Sequence, residues 1–359
     1  MKNPASFTIS TPGRICLFGE HQDYLGLPII AAAINLRIRI SGKQRQDLHV
    51  YIKLPDIGEE VTFFAKQRLA YELERDYFRS GFNVLWDKGI RLQHGWDCDV
   101  RGEIPINSGT SSSSAMMVSW IKFLLTAANH EKADDPDFVA RMAHRAEVLE
   151  FNEPGGMMDQ FSTSFGDVIY LDFSNNAVKT LKPNLDTFVL GDSQQPKDTK
   201  KILANTKNVA LDAVRMISEI HSPFDFRTTE IEAIRDDLKK LPQRHADVLR
   251  ANLIDRNLLQ EGFLLLQNEQ MDHEKFGKLL TKHHEQLSRY KQVSTEKIDR
   301  MLDAAIGAGA YGGKINGSGG GGCMFAYAPE NPEAIAEAIR FAGGVPYVVQ
   351  VDEGARIEE

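Results

Sequence analysis

The sequence predicts an α+β protein of two domains, and three observations predict it. Strand-like segments crowd the first hundred residues, helical periodicity dominates the second half, and strand patterns return after residue 320. The 359 residues suit two ordinary domains, and 42% apolar with 26% charged residues is the mix of a globular chain with a sizeable core. No internal repeat or low-complexity linker marks a boundary, so it is expected in the polar region before Phe188, giving residues 1–184 and 185–359.

Taken in order, Ser6 to Ser10 reads as a strand entering a turn at Thr11-Pro12-Gly13. Ile29 to Ile40 is apolar and ends in the alternation Leu36-Arg37-Ile38-Arg39-Ile40 of a half-buried strand. Leu48 to Leu54, Glu60 to Phe64 and Trp96 to Gly102 read as further strands, and Arg68 to Lys88 as a helix. Helical spacing runs from Ala115 to Asn129, and again from Phe138 to Phe151 behind Pro136 at a helix start. Val168 to Phe173 and Phe188 to Leu190 read as strands. Helices are expected over Thr199–His221, Thr228–Lys240, Ala246–Asn268, His273–Ser288 and Thr295–Ala308. The strands Cys323–Ala328 and Tyr347–Val351 then flank a helix over Pro332–Ala342.

The formal charge of −8 argues against nucleic acid as a partner, since binding a phosphate backbone needs a basic face. It does not exclude a nucleotide, whose phosphates can be held by backbone N–H groups. Cys16, Cys98 and Cys323 are few, odd in number and far apart, which reads as packing in a reducing compartment. Neither a signal-peptide core nor an uninterrupted apolar stretch of membrane-spanning length is present, so the expectation is a cytoplasmic protein with no membrane partner.

Pro105-Ile106-Asn107-Ser108-Gly109-Thr110-Ser111-Ser112-Ser113-Ser114-Ala115 leads a small-residue loop straight into a helix. Unpaired N–H groups and the positive helix end would lie where an anion can sit, and hydroxyls could ligate Mg²⁺. The plain alternative is a serine cap on an ordinary helix. The loop is not a Walker A motif, which occurs nowhere in the chain. Gly317-Ser318-Gly319-Gly320-Gly321-Gly322 has the spacing of a dinucleotide fingerprint, but a strand follows where a helix is required. Its glycines call for close approach to a ligand or another loop; a tight connection is the alternative.

Gly19-Glu20-His21-Gln22-Asp23-Tyr24 interrupts an apolar stretch beside Arg14. Buried polar groups need partners, and sugar hydroxyls suit two acids and a histidine. A metal centre is disfavoured, for no second His/Cys pair has ligand spacing. Glu147 and Asp159, separated by the turn Glu153-Pro154-Gly155-Gly156, can meet at one Mg²⁺–ATP site from different elements. One acid would hold the metal and the other act as base; taken alone, the pair reads as surface charges.

Together these segments resemble the GHMP kinases, and galactokinases in particular. Pro12 to Tyr24 is similar to the galactokinase signature, with Gln22 where threonine is usual. Pro105 to Ala115 resembles the family's phosphate loop, with Asn107 and Thr110 replacing a glycine and a leucine. Ala146-Glu147 through Met158-Asp159-Gln160, Gly317 to Cys323 and the tail Val351 to Arg356 follow in family order.

The resemblance implies a ribosomal protein S5 domain 2-like N-terminal domain, a ferredoxin-like C-terminal domain, and ATP with Mg²⁺ in the cleft between them. It implies that Asp159 is the base and that Arg14 beside it keeps it ionised and stabilises the moving phosphoryl group. Ser108, Gly109, Thr110, Ser111, Ser112, Ser113 and Ser114 would cradle phosphates. Ser113 and Glu147 would ligate the metal, with Ser114 as the alternative to Ser113. Glu20, His21 and Asp23 would bind the sugar, with Gly317, Gly319 and Gly320 closing over it.

Galactokinases carry a tyrosine in the stretch corresponding to Ser193–Leu203. This chain has none and there looks more like heptose and other sugar kinases, so the departures here and at Gln22 bear on which sugar is bound. The reaction implied is phosphorylation of a sugar at its anomeric hydroxyl; the acceptor could instead be a heptose, a fucose or a uronic acid. A non-catalytic sugar sensor is disfavoured by the intact Arg14, Glu147 and Asp159, and a mevalonate or homoserine kinase by the Glu20–Asp23 cluster. The segment Trp86 to Trp96 is a candidate for the adenine pocket.

Overall fold

A computed structural model describes residues 5–106, 108–153, 155–175, 177–196 and 199–358. Asn107 and Pro154, which belong to two of the motifs above, lie outside the described residues, as do Lys197 and Asp198. The α+β class holds.

The first sheet is built from β1 (Ser6–Phe18), β2 (Ile29–Gln44), β3 (His49–Leu54), β4 (Glu59–Phe64), β5 (Trp96–Gly102), β6 (Val168–Asp172) and β7 (Ala177–Leu181). The C-terminal strand β12 (Arg356–Glu358) joins its edge, giving the order β12-β1-β2-β5-β3-β4, while β6 pairs with the start of β2 and carries β7. The last residues of the chain therefore hydrogen-bond to the first strand, Thr8 opposite Glu358. The second sheet has the order β11-β8-β10-β9, from β8 (Phe188–Asp192), β9 (Gly312–Ile315), β10 (Cys323–Tyr327) and β11 (Val345–Val349).

Helices α1 (Tyr77–Asp87), α2 (Ser112–Ala127), α3 (Pro136–His144) and α4 (Met158–Phe165) accompany the first sheet. Trp120, Phe123 and Ile121 of α2 pack with Phe7, Ile40, Val50 and Trp96 of the strands, all buried. Further along the chain come α5 (Thr199–Ile220), the short α6 (Arg235–Leu238), α7 (Gln243–Leu266), α8 (His273–Glu285), α9 (Glu296–Gly307) and α10 (Pro332–Phe341). A second core joins the two sheets: Ile15, Leu17 and Phe18 of β1 pack with Leu258 of α7, Phe276 of α8 and Phe325 of β10. Burial of such apolar surface, roughly 25 cal/mol per Å², ties the two halves together.

Three expectations are corrected. The turn at Thr11–Gly13 is absent: β1 runs on to Phe18, and only a register shift between Pro12 and Gly13 marks it. A bulge is where a strand tolerates proline. The helix expected from Arg68 begins only at Tyr77. Asn83 takes both backbone groups of Leu69, at 2.8 and 2.9 Å, and Asp76 takes the Glu72 amide at 3.0 Å, so side chains supply what helical bonds would have. The helix expected over Thr228–Lys240 is reduced to two short turns, Ile231–Ile234 and Arg235–Leu238. Arg256 claims the carbonyls of Phe226 and Thr229, both at 2.9 Å. Strands β7, β9 and β12 and helix α4 were not expected.

Candidate active site

β1, the α2 N-terminus, α4 and the glycine run open onto one cleft of about 620 Å³. Each converging residue arrives by a local device. The bulge after Pro12 leaves Gly13 so close to the loop before α2 that a Cβ there would stand 2.9 Å from the Thr110 carbonyl. The next amide, Arg14, donates to that same carbonyl at 3.1 Å. The buried Arg14 side chain then spans two elements. Its Nε and Nη2 reach Oδ1 of Asp159 at 2.9 and 2.7 Å, and Nη1 bonds the Gly109 carbonyl. The Asp159 charge raises the guanidinium pKa although burial opposes it. Asp159 lies in the first turn of α4, whose N-terminal dipole adds positive potential there.

Helix α2 begins after Ser111, which sits at φ 64°, and no side chain caps it. Its first-turn amides and the Ser111 hydroxyl, buried and without a hydrogen-bond partner, face the cleft as an anion would need. Ser108, Gly109, Ser111, Ser112, Ser113 and Ser114 line the cleft. Thr110 does not: its hydroxyl meets that of Ser108 at 2.6 Å, so it shapes the loop from within.

Glu147 comes from a π-turn, Arg145–Leu149, that continues α3, a distortion frequent at functional sites. Burial pushes its pKa up, while Gln160 and the hydroxyls of Ser113 and Ser114 draw it back. Gln160 Nε2 donates to Glu147 at 2.6 Å and lies 3.3 Å from Ser114 Oγ. A buried carboxylate without a cation, beside an exposed serine hydroxyl in the same cleft, is a fitting donor set for Mg²⁺. That ion takes one or two protein oxygens and completes its shell with water and phosphate. No cluster of three or more His, Cys, Asp or Glu side chains occurs among the described residues, so a closed protein cage is not offered.

The end of the cleft proposed below for the acceptor is lined by His21, Asp23, Gly155, Gly156, Gly317 and Ser318. His21 Nε2 is 3.1 Å from the Ser318 carbonyl. Asp23 is half-buried, and burial raises its pKa. Gly156 packs against it: a Cβ there would come 2.2 Å from Asp23 Oδ2, which would have to move. Glu20 lines the cleft too, but its oxygens already bond the Lys314 ammonium and the Gly317 amide.

Several expected residues stand elsewhere. Gly319 and Gly320 do not line the cleft. They hold φ of 83° and 73°, and side chains there would strike the Val293 carbonyl and Ile202 Cδ1. Gln22 is fully buried and donates to the Asn252 carbonyl of α7 at 2.7 Å, away from the cleft. Where threonine is usual, this side chain is taken up by α7. In the described part of Ser193–Leu203, Ser193 bonds Gly322 and Ile202 packs under Gly320, so this stretch braces the glycine run. Neither Trp86 nor Trp96 reaches the cleft: Arg91 covers Trp86, and Trp96 is buried against Phe7 and Phe123. The apolar end is lined instead by Ile38, Leu54, Ile57, Val100, Ile106 and Met116.

Asn316, unremarked in the sequence, accepts the Cys16 amide and donates to the Gly109 carbonyl, both at 2.9 Å. It thus fastens β1, the phosphate loop and the glycine run together.

The family described as "GHMP kinases N terminal domain" matches residues 65–167, "GHMP kinases C terminal" matches residues 263–344, and "Galactokinase galactose-binding signature" matches residues 1–44. A mevalonate kinase of Thermococcus sibiricus is 27% identical over 98% of each chain. A galactokinase of Pyrococcus furiosus is 29% identical over 93% of each. The galactokinase of Lactococcus lactis, solved with galactose, superimposes with a TM-score of 0.86 at 21% identity, over 99% of this chain and 96% of that one. With both terminal domains of the family and its signature along one chain, and a fold shared nearly end to end, this protein belongs to the GHMP kinases and is an ATP-dependent kinase of a small molecule.

Proposed function

We propose that the kinase transfers the γ-phosphoryl group of ATP to a hydroxyl of an uncharged sugar, the anomeric hydroxyl as in galactokinases. The observation that carries this is the pairing of the arginines in the cleft. The arginines that line the cleft, Arg14, Arg75 and Arg101, are each already bonded to a carboxylate: Asp159, Glu153 and Asp99. A carboxylate-bearing acceptor would find no unpaired arginine there and would face Asp23 and Asp159. Sugar hydroxyls can donate to Asp23 and Asp159. This favours a neutral sugar over mevalonate or a uronic acid, although relatives named mevalonate kinase match as fully as those named galactokinase.

In the reaction, Asp159 Oδ2 accepts the proton of the attacking hydroxyl, while Oδ1 stays on Arg14. Arg14 faces the charge that develops on the transferring group, and the α2 amides with Ser111 hold the phosphates. Glu147 with the Ser113 hydroxyl would hold Mg²⁺, with Ser114 as the alternative; the ion supplies charge neutralisation of the phosphates. The division at 184/185 remains part of this reading, the phosphate loop and base before it and the glycine run after it. Dependence on ATP favours a cytoplasmic location.

A coupled assay of ADP release across neutral hexoses, deoxysugars, heptoses, uronic acids and mevalonate tests the proposal. A neutral sugar should be the best acceptor. Mevalonate or a uronic acid as best acceptor would overturn it, and binding of ATP and a sugar without turnover would point to a sensor.

A further inference from the structure

Beneath the acceptor end lie four buried charges. Asp255 of α7 and Lys291, which follows the π-turn Gln286–Tyr290 beyond α8, are both buried and lie 2.8 Å apart. The fully buried Lys314 of β9 pairs with Glu20, and also donates to the Cys16 carbonyl at 3.0 Å and the Ile315 carbonyl at 2.8 Å. The two pairs are linked, for Lys291 Nζ makes a long bond of 3.4 Å to the Glu20 carbonyl. Glu20 in turn holds the Gly317 amide, and His21 meets the Ser318 carbonyl.

Burial pushes Asp255 up to about 6 against the pull of Lys291 and Lys314. The adjacent His283, 3.6 Å from Asp255, is held well below its ordinary range by burial and the same two lysines. The imidazole beside the two pairs is therefore neutral.

Stability alone does not account for such a cluster. Well-packed apolar residues of similar volume serve as well as or better than a buried ion pair, because desolvation offsets the Coulomb gain. Directionality does account for it: the bonds point at the Glu20 carbonyl, the Glu20 carboxylate and, through it, the Gly317 amide. We infer that Asp255 and Lys291 are positioning residues, which act through Glu20 and Lys314 to hold the loop Gly19–Asp23 and the turn Gly317–Ser318 as one rigid acceptor-binding unit.

The inference rests on the proposed acceptor end only for its kinetic arm. Asp255→Asn and Lys291→Met each break the buried pair, and the double variant Asp255→Leu/Lys291→Met restores neutrality without restoring the bond to Glu20. Hydrogen exchange of the peptide containing Gly317, read by mass spectrometry on unliganded protein, should quicken about tenfold or more in all three. The acceptor KM should rise about 10–100-fold while the KM for ATP stays within about twofold. The double variant should recover thermal stability but neither the exchange protection nor the acceptor KM. Variants that lose only stability, with Gly317 exchange and acceptor KM as in the wild type, would overturn the inference. Should wild type phosphorylate no sugar, the proposed function fails, and the exchange result still decides this point.

Discussion

Arg14 and Asp159, 145 positions apart in the chain, meet at a single carboxylate oxygen: Oδ1 receives Nε–H at 2.9 Å and Nη2–H at 2.7 Å. Among the described residues no group bonds Oδ2, and the Asp159 side chain is 31% exposed toward the cleft. The arrangement fixes one oxygen on Arg14 and leaves the other without a bond.

Arg14→Lys should lower kcat by about 10²–10³-fold. A single ammonium cannot serve Asp159 and the Gly109 carbonyl in the same fork. Steady-state kinetics with saturating ATP and sugar check this, and an unchanged kcat would remove Arg14 from the mechanism.

Glu147 sets a pH dependence whose sign is fixed. Its folded pKa lies above the unfolded value, so in the interval between them the folded state binds more protons, and stability falls as pH rises. Glu147→Gln removes that cost. Without nucleotide or Mg²⁺, its melting temperature relative to wild type should rise as pH climbs above the ordinary glutamate range, while turnover is lost. A difference that does not vary with pH would show that Glu147 is not destabilised by burial.

Gly156→Ala places a methyl carbon where Asp23 Oδ2 now stands, since the built contact is 2.2 Å. The acceptor KM should rise by about tenfold or more, with the KM for ATP little changed. Equal changes in both constants would mean that Asp23 does not serve the acceptor.

The two serines should separate. Ser113 is exposed in the cleft and Ser114 is buried against Gln160. Ser113→Ala should raise the Mg²⁺ concentration required for half-maximal rate by about 10–100-fold. Ser114→Ala should instead cost about 1 kcal/mol of stability. The reverse pattern would assign the metal to Ser114.

Much of this cleft was legible because its chemistry is carried by short, ordered motifs. Arg14, Glu147, Asp159 and the serine loop all line it, as do His21 and Asp23. What escaped reading depends on contacts remote in sequence. A glycine run does not say which of its members face a ligand, and Gly319 and Gly320 turned out to be fitted to Val293 and Ile202. Gln22 sits between two cleft residues, yet α7 captures it. Lys314 and Asn316 gave no local signal, because their partners Glu20, Cys16 and Gly109 lie some two to three hundred residues away. The segment before Tyr77 has a helical pattern, but Asn83 and Asp76 outcompete the helix for its backbone. Strand β7 was missed because most of its residues are exposed or only half-buried, leaving no apolar alternation to read.

Replacement of Asp159 by asparagine tests the placement of the base most directly. Asp159→Asn keeps the shape of the side chain and an oxygen for Arg14 but removes the proton acceptor. Turnover of the sugar should fall by about 10²–10⁴-fold while ATP binding, read by calorimetry, is retained. Sugar-dependent ADP release that survives the substitution at the wild-type rate would contradict the assignment of Asp159 as the base.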